Sequence, residues 1–246
     1  MTFTDETLGH RWPHNLKAVA FDMDGLMVNT EELYYEVGQT ILQRRGREFT
    51  DSLRRGMMGL PGPKAFELMI ATENLTDSVA TLTSECDEVF AGMLPHRLRP
   101  LTGLLELLDA LDANKVPRCV ATSSSLRFAR QVLAGIAVLD RVDFVITAEH
   151  VTQGKPHPDI YLGAASRLGV LPHELLVFED SQHGSKAGMS AGACTVAIPG
   201  DHSRHHDFSG VHFVAESLAD ARIYRLLVGG RGSYPPDATT RHYFDR

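Results

Sequence analysis

The sequence has few cysteines, and no two of them are close. Cys86, Cys119 and Cys194 are odd in number and widely spaced, which suggests neither a disulfide framework nor a zinc knuckle and fits a reducing compartment. It also lacks an excess of positive charge: 24 Lys and Arg face 31 Asp and Glu, for a net charge of -7. Without a basic stripe to displace counterions from phosphates, no nucleic-acid partner is expected. Long apolar runs are missing as well. No stretch could span a bilayer, and Met1 to Asn15, which includes Asp5, Glu6 and His10, holds no apolar core of the kind a secretory leader needs. The expectation is a soluble, cytoplasmic protein with no membrane partner. There is no internal repeat and no low-complexity tract. What is present, 246 residues of which 43% are hydrophobic and 22% charged, suffices for one large α/β domain or for a core with a smaller insertion.

Five short apolar runs bordered by turn residues read as strands, at about Lys17–Phe21, Val116–Ala121, Asp143–Thr147, Leu175–Phe178 and Thr195–Ile198. Helical periodicity lies between them at Leu101–Ala113, Leu126–Ala134, Asp159–Leu168 after Pro158, and Gly184–Ala191. Strands alternating with helices predict a doubly wound parallel sheet covered on both faces, a Rossmann-like α/β core. The segment from about Glu31 to Arg97 has helical periodicity and almost no strand signal, and it is too long for one crossover helix. It is expected to form an inserted all-helical subdomain, broken by Pro61-Gly62-Pro63, with Pro95 and Pro100 near the return to the core. The expected organisation is a discontinuous core over 1–30 and 98–228, a helical cap over 31–97, and an extended tail over 229–246.

Chemistry collects at the ends of the expected strands, the edge at which open α/β sheets bind ligands. The first strand stops on Asp22-Met23-Asp24-Gly25. Two aspartates two residues apart converge only if the chain turns, which Gly25 permits, and their repulsion then calls for a proton or a cation. An Asx-turn closing a strand is the structural alternative. The second strand runs into Thr122-Ser123-Ser124-Ser125, either an anion cradle of hydroxyls and free N–H groups or simply a helix cap. Lys155 stands in Gly154-Lys155-Pro156-His157-Pro158-Asp159, where prolines restrict the backbone around one ammonium; a solvated surface lysine is the alternative. The fourth strand ends on Glu179-Asp180-Ser181, a second acidic pair or a helix-capping pair. Two acidic pairs and one lysine make an oxygen-rich site suited to Mg²⁺ with waters and phosphate oxygens.

In this order, at strand ends, the motifs resemble the four motifs of the haloacid dehalogenase superfamily. Phe21-Asp22-Met23-Asp24-Gly25-Leu26, Lys155-Pro156-x-Pro158-Asp159 and Glu179-Asp180-Ser181-Gln182-x-Gly184 are similar to its β-phosphoglucomutase-like branch, over about Lys17 to Ile198. The resemblance implies that Asp22 attacks a phosphoryl group to form an aspartyl phosphate and that Asp24 serves as general acid and base. It implies that Thr122, the N–H of Ser123 and Lys155 bind the transferring oxygens. It further implies that Asp22, the main-chain carbonyl of Asp24, Glu179 and Asp180 hold Mg²⁺. A helical cap after the first motif belongs to the same pattern. Mutases of this branch usually carry a histidine twelve residues after the nucleophile; here that residue is Tyr34, which favours water as acceptor. The acidic residue usual at the hinge is replaced by Asn29.

The implied function is Mg²⁺-dependent hydrolysis of small phosphorylated metabolites. A sugar-phosphate mutase is the nearest rival, and a non-catalytic phosphometabolite sensor is the rival of another class. Lys64 and Ser181 are candidate substrate contacts. The stretch Asp201-His202-Ser203-Arg204-His205-His206-Asp207 follows the last strand in a polar setting and is read as composition rather than a metal site. Met57-Met58, before Gly59-Leu60-Pro61-Gly62, is read as packing.

Overall fold

The computed structural model describes residues 15–57 and 62–228. Six parallel strands form one sheet in the order β3-β2-β1-β4-β5-β6. They are β1 (Ala18–Phe21), β2 (Arg118–Thr122), β3 (Phe144–Thr147), β4 (Leu175–Glu179), β5 (Cys194–Ala197) and β6 (Phe213–Val214). The chain builds outward from β1 in one direction, then returns to continue on its other side at β4. The β1–β4 crevice is therefore the topological switch point, where such sheets hold their ligands. In register, Phe21 lies opposite both Val120 and Phe178. The residues that follow these strands thus emerge side by side.

Alternation along the strands sorts the two faces. Val19, Phe21, Val120, Leu176, Phe178 and Val196 face one cluster, shared with the large apolar residues of the insertion and of α5 (Leu104–Ala113), α6 (Leu126–Gly135) and α9 (Ala221–Val228). The opposite face presents smaller residues, Ala18, Ala20, Cys119 and Ala121, to α7 (Asp159–Leu168) and α8 (Gln182–Ser190). Every residue of β1, β2 and β4 is buried, as expected for strands covered on both sides.

Among the described residues, four helices intervene between β1 and α5: α1 (Thr30–Gln43), α2 (Asp51–Met57), α3 (Gly62–Glu73) and α4 (Val79–Arg97). The apolar stripe of α1, Leu33, Val37, Ile41 and Leu42, is buried. Ser78 caps α4 by accepting from the Thr81 N–H at 3.1 Å, and Arg45 ties α1 to α4 through Asp77 at 2.8 Å and Glu85 at 2.6 Å. Pro95 lies inside α4, close to its end. The connections into and out of these helices pair with one another. Val28 bridges Pro100, the Leu101 N–H reaches the Met27 carbonyl at 2.9 Å, and the Asn29 N–H reaches the Arg99 carbonyl at 3.3 Å. Asn29, buried, adds its side chain: Oδ1 accepts from the Arg99 N–H at 2.8 Å while Nδ2 donates to the Arg97 carbonyl at 3.1 Å. Arg97 and Arg99 fold back onto Glu36 and Glu32 at 2.5 and 2.8 Å.

Several expectations are corrected. The sheet has six strands, not five; β6 is two residues long and pairs with β5. The second strand starts at Arg118, whose guanidinium is held by the Asp112 carboxylate and the Arg141 carbonyl. The helix expected from Leu101 begins at Leu104, after Gly103 adopts φ +86°. The helix expected from Gly184 begins two residues earlier, at Gln182, because Ser181 caps it. The tail over 229–246, the Met1–His14 segment and Met58–Pro61 lie outside the described residues. Met57 packs against the apolar cluster, in line with its reading. No helix among the described residues is long and apolar enough to cross a membrane.

Candidate active site

Asp22 leaves β1 with its N–H on the Phe178 carbonyl at 2.9 Å, which places its carboxylate beside the end of β4. Gly25, at φ +75°, then turns the chain, and the Gly25 N–H closes the loop onto the Val28 carbonyl at 3.0 Å. From β4, Glu179 and Asp180 converge on the same point. One oxygen from each of Asp22, Glu179 and Asp180 falls within 4.8 Å of the others, and all three residues are buried.

Among the described residues, the cation that meets these acids is Lys155. Its side chain is only 6% exposed, and its Nζ lies 2.5 Å from Asp22 Oδ1, 2.6 Å from Glu179 Oε1 and 2.9 Å from the Ala121 carbonyl. The surface-lysine alternative is thereby excluded. Tyr161, fully buried on α7, donates its hydroxyl to Glu179 Oε1 at 2.5 Å, with its ring centroid 5.3 Å from the ammonium. Ser181 donates to Glu179 Oε2 at 3.1 Å and accepts from the Gly184 N–H at 3.1 Å. It thus steadies an acid and caps α8 rather than standing free for a substrate. Gly184 has a steric reason: a Cβ there would overlap the Glu179 carboxyl group.

Burial, with repulsion from neighbouring acids, holds the Asp22 and Asp180 carboxyls well above the usual carboxylate range, although Lys155 pulls both down. Burial works against the charge of Lys155, yet Asp22 and Glu179 hold it above the ordinary lysine value. The cluster is therefore under-neutralised. Lys155 takes Oδ1 of Asp22, and among the described residues no donor is assigned to its Oδ2. A closely spaced, buried, all-oxygen set short of positive charge fits a hard divalent cation.

Asp24 faces a different environment. It is half-buried, and its Oδ1 accepts from the Thr30 hydroxyl at 2.7 Å while Oδ2 accepts from the hydroxyls of Ser124 at 2.8 Å and Thr122 at 3.2 Å. The expected cradle is thus partly turned onto Asp24. Ser123 is exposed at the mouth of α6, and Ser125 caps that helix through the Phe128 N–H at 3.3 Å. Lys64 is exposed on α3, with no contact to the acidic cluster among the described residues. Tyr34, 39% exposed, has its ring centroid 4.7 Å from that of Phe90 and 6.2 Å from that of Phe128, so side chains of α1, α4 and α6 meet there. Burial, then Asp24, pushes its phenol above the ordinary value.

The sequence missed Tyr161, Thr30, Ser124 and His202. The last corrects the reading of the histidine-rich stretch as composition alone, since His202 Nε2 lies 2.7 Å from Asp180 Oδ2. One signal was available, since the stretch follows β5 and so starts from the edge that carries the other motifs. His202 also lines a cavity of about 710 Å³ with Gly25, Glu31, Tyr35 and Arg54. Burial lifts the Glu31 carboxyl above its usual value, against the pull of His202.

A family model described as haloacid dehalogenase-like hydrolase matches residues 19–198. A Thermotoga maritima protein named phosphorylated carbohydrates phosphatase is 31% identical over 72% of this chain and 82% of its own length. A validoxylamine A 7'-phosphate phosphatase of Streptomyces hygroscopicus subsp. limoneus is 33% identical over 84% of this chain and 92% of its own. Among solved structures, a hydrolase of Deinococcus radiodurans R1 with bound phosphate and sodium superposes with a TM-score of 0.73 at 25% identity, covering 89% of this chain and 96% of the other.

Proposed function

Because this chain belongs to the haloacid dehalogenase-like hydrolase family, we propose that it is a Mg²⁺-dependent phosphohydrolase of small phosphorylated metabolites, acting through an aspartyl phosphate on Asp22. The observation that carries this reading is the meeting, at one sheet edge, of Asp22 with Lys155, Glu179 and Asp180, while Asp24 stands on the same turn in hydroxyl contact. A binding protein has no use for a second, separately held carboxylate.

Asp22 attacks phosphorus through the oxygen that Lys155 leaves exposed, and the bond to the leaving oxygen breaks as Asp24 delivers a proton to it. Asp24, now ionised, takes a proton from water, whose oxygen attacks the aspartyl phosphate; phosphate departs and Asp22 is restored. Lys155 offsets charge on the transferring oxygens. Thr122 and the Ser123 N–H turn to the phosphoryl group as it arrives. Asp22, the main-chain carbonyl of Asp24, Glu179 and Asp180 would hold the Mg²⁺, which supplies further charge neutralisation when bound. Helices α1–α4 act as a cap that excludes bulk water on closing.

The relative named for phosphorylated carbohydrates supports a sugar-like leaving group. Tyr34 stands where the mutases place a histidine, and a phenol, with a pKa of roughly 10 against about 6.5, is no base for a sugar hydroxyl. A phosphometabolite panel with Mg²⁺, scored by phosphate release, tests this reading. Release should be Mg²⁺-dependent and absent in Asp22→Asn; substantial turnover by that variant sinks the aspartyl-phosphate route.

A further inference from the structure

The loop after β5 is built to hold one side chain. Its turn closes on itself, the N–H groups of Ser203 and Arg204 both donating to the Gly200 carbonyl at 3.0 Å, with Ser203 buried beneath. It docks against the start of α8, where the Asp207 N–H reaches Gln182 Oε1 at 3.2 Å and the Gln182 N–H reaches His206 Nδ1 at 3.4 Å. The His202 imidazole lies in a slot between two glycines. A Cβ on Gly25 would lie 2.9 Å from its Cε1 and 2.7 Å from Asp180 Oδ2, and a Cβ on Gly200 would lie 2.8 Å from the same Cε1. The side chain is 11% exposed, and its Nε2 stands 2.7 Å from Asp180 Oδ2.

We propose that His202 is a positioning residue of the metal site, its Nε2–H holding Asp180 Oδ2 so that Oδ1 faces the cation; the assignment rests on the metal reading above. The second carboxyl torsion of an aspartate is broad, so an unheld Asp180 would rotate. Glu179 and Glu31, both near it, repel its charge and give it reason to turn away. A fixed donor on Oδ2 sets the carboxylate plane before any ion arrives. Hydrogen-bond partners of metal ligands are commonly worth about 10–100-fold in metal affinity. The motif glycine, Gly25, thus has a second use: it clears the space in which the histidine meets Asp180.

Mn²⁺ binding to metal-free protein, followed by electron paramagnetic resonance of the free ion, tests this without recourse to turnover. His202→Ala should weaken the Kd by about 10–100-fold. His202→Gln, whose Nε2 reaches about as far, should keep most of the affinity, and His205→Ala, exposed on the same loop, should bind as the unaltered protein does. His202→Asn fills the slot with an amide too short to reach Oδ2 and serves as the loss variant if alanine unfolds, as thermal melts will tell. Unaltered Mn²⁺ affinity in folded His202→Ala or His202→Asn overturns the assignment, as does a glutamine variant as weak as alanine. If the unaltered protein binds no Mn²⁺, it is the metal reading that fails.

Discussion

Two aspartates on one turn stand in different surroundings. Asp22 is buried against an ammonium and two acids, whereas Asp24 is half-buried and held by three hydroxyls. On the proposed mechanism, that difference separates the nucleophile from the proton-transfer group. Asp24→Asn should keep the shape and the nucleophile but lose the proton donor, slowing hydrolysis of alkyl phosphates by roughly 10² or more. Aryl phosphates, whose leaving groups need less protonation, should suffer less. An equal loss on both classes, read from kcat/KM, would remove Asp24 from the leaving-group step. The acids and Lys155 were legible in the sequence because each follows an apolar run and a turn, so position and chemistry coincide. Tyr161 and Ser124 were not. Tyr161 occupies an apolar helical stripe, and only the packing of α7 on the sheet over β1 and β2 turns its hydroxyl onto Glu179. Ser124 read as one of several hydroxyls of an anion cradle or a helix cap until the loop conformation set it on Asp24.

At the scale of elements, the joint between the helical insertion and the sheet carries the most specific design. Asn29 both donates to the outgoing connection and accepts from it, through one amide. An aspartate, usual there in the family that the sequence resembles, could accept but not donate. Asn29→Ala removes both bonds and should cost about 1–3 kcal/mol in local stability, since buried partners are left unsatisfied. Amide exchange should then quicken at Arg99 and Leu101 while β1 stays protected; unchanged exchange would show that the backbone pairing suffices alone. The elements themselves were largely readable. α7 begins and ends where periodicity and Pro158 place it, and the insertion is helical as its pattern demands. β6 was illegible because two residues carry no period, and its pairing depends on the loop that brings His202 to Asp180.

At the scale of the whole fold, the sheet edge keeps a cluster of buried acids with too little positive charge among the described residues. Raised Asp22 and Asp180 carboxyls bind protons more tightly folded than unfolded, so their contribution to stability is present at low pH and is lost as pH rises through their folded values. A bound divalent cation reverses this, because it displaces those protons. The rise in Tm on adding Mg²⁺ should therefore grow as the pH rises from the ordinary carboxylate range through the folded values of these two carboxyls. At a hundredfold excess over Kd it corresponds to about 2.7 kcal/mol, or roughly 5–10 °C for a chain of this size. A rise that is flat or shrinking with pH would place the ion elsewhere. The paired connections carry one more consequence. Asn29 and Arg99 lie 70 positions apart in sequence yet share a hydrogen bond, so the chain leaves the sheet and returns to it through one doorway. A segment attached in that way can be lengthened, shortened or exchanged for another without re-threading the sheet. Such an exchange leaves in place the strand ends that carry Asp22, Glu179 and Asp180.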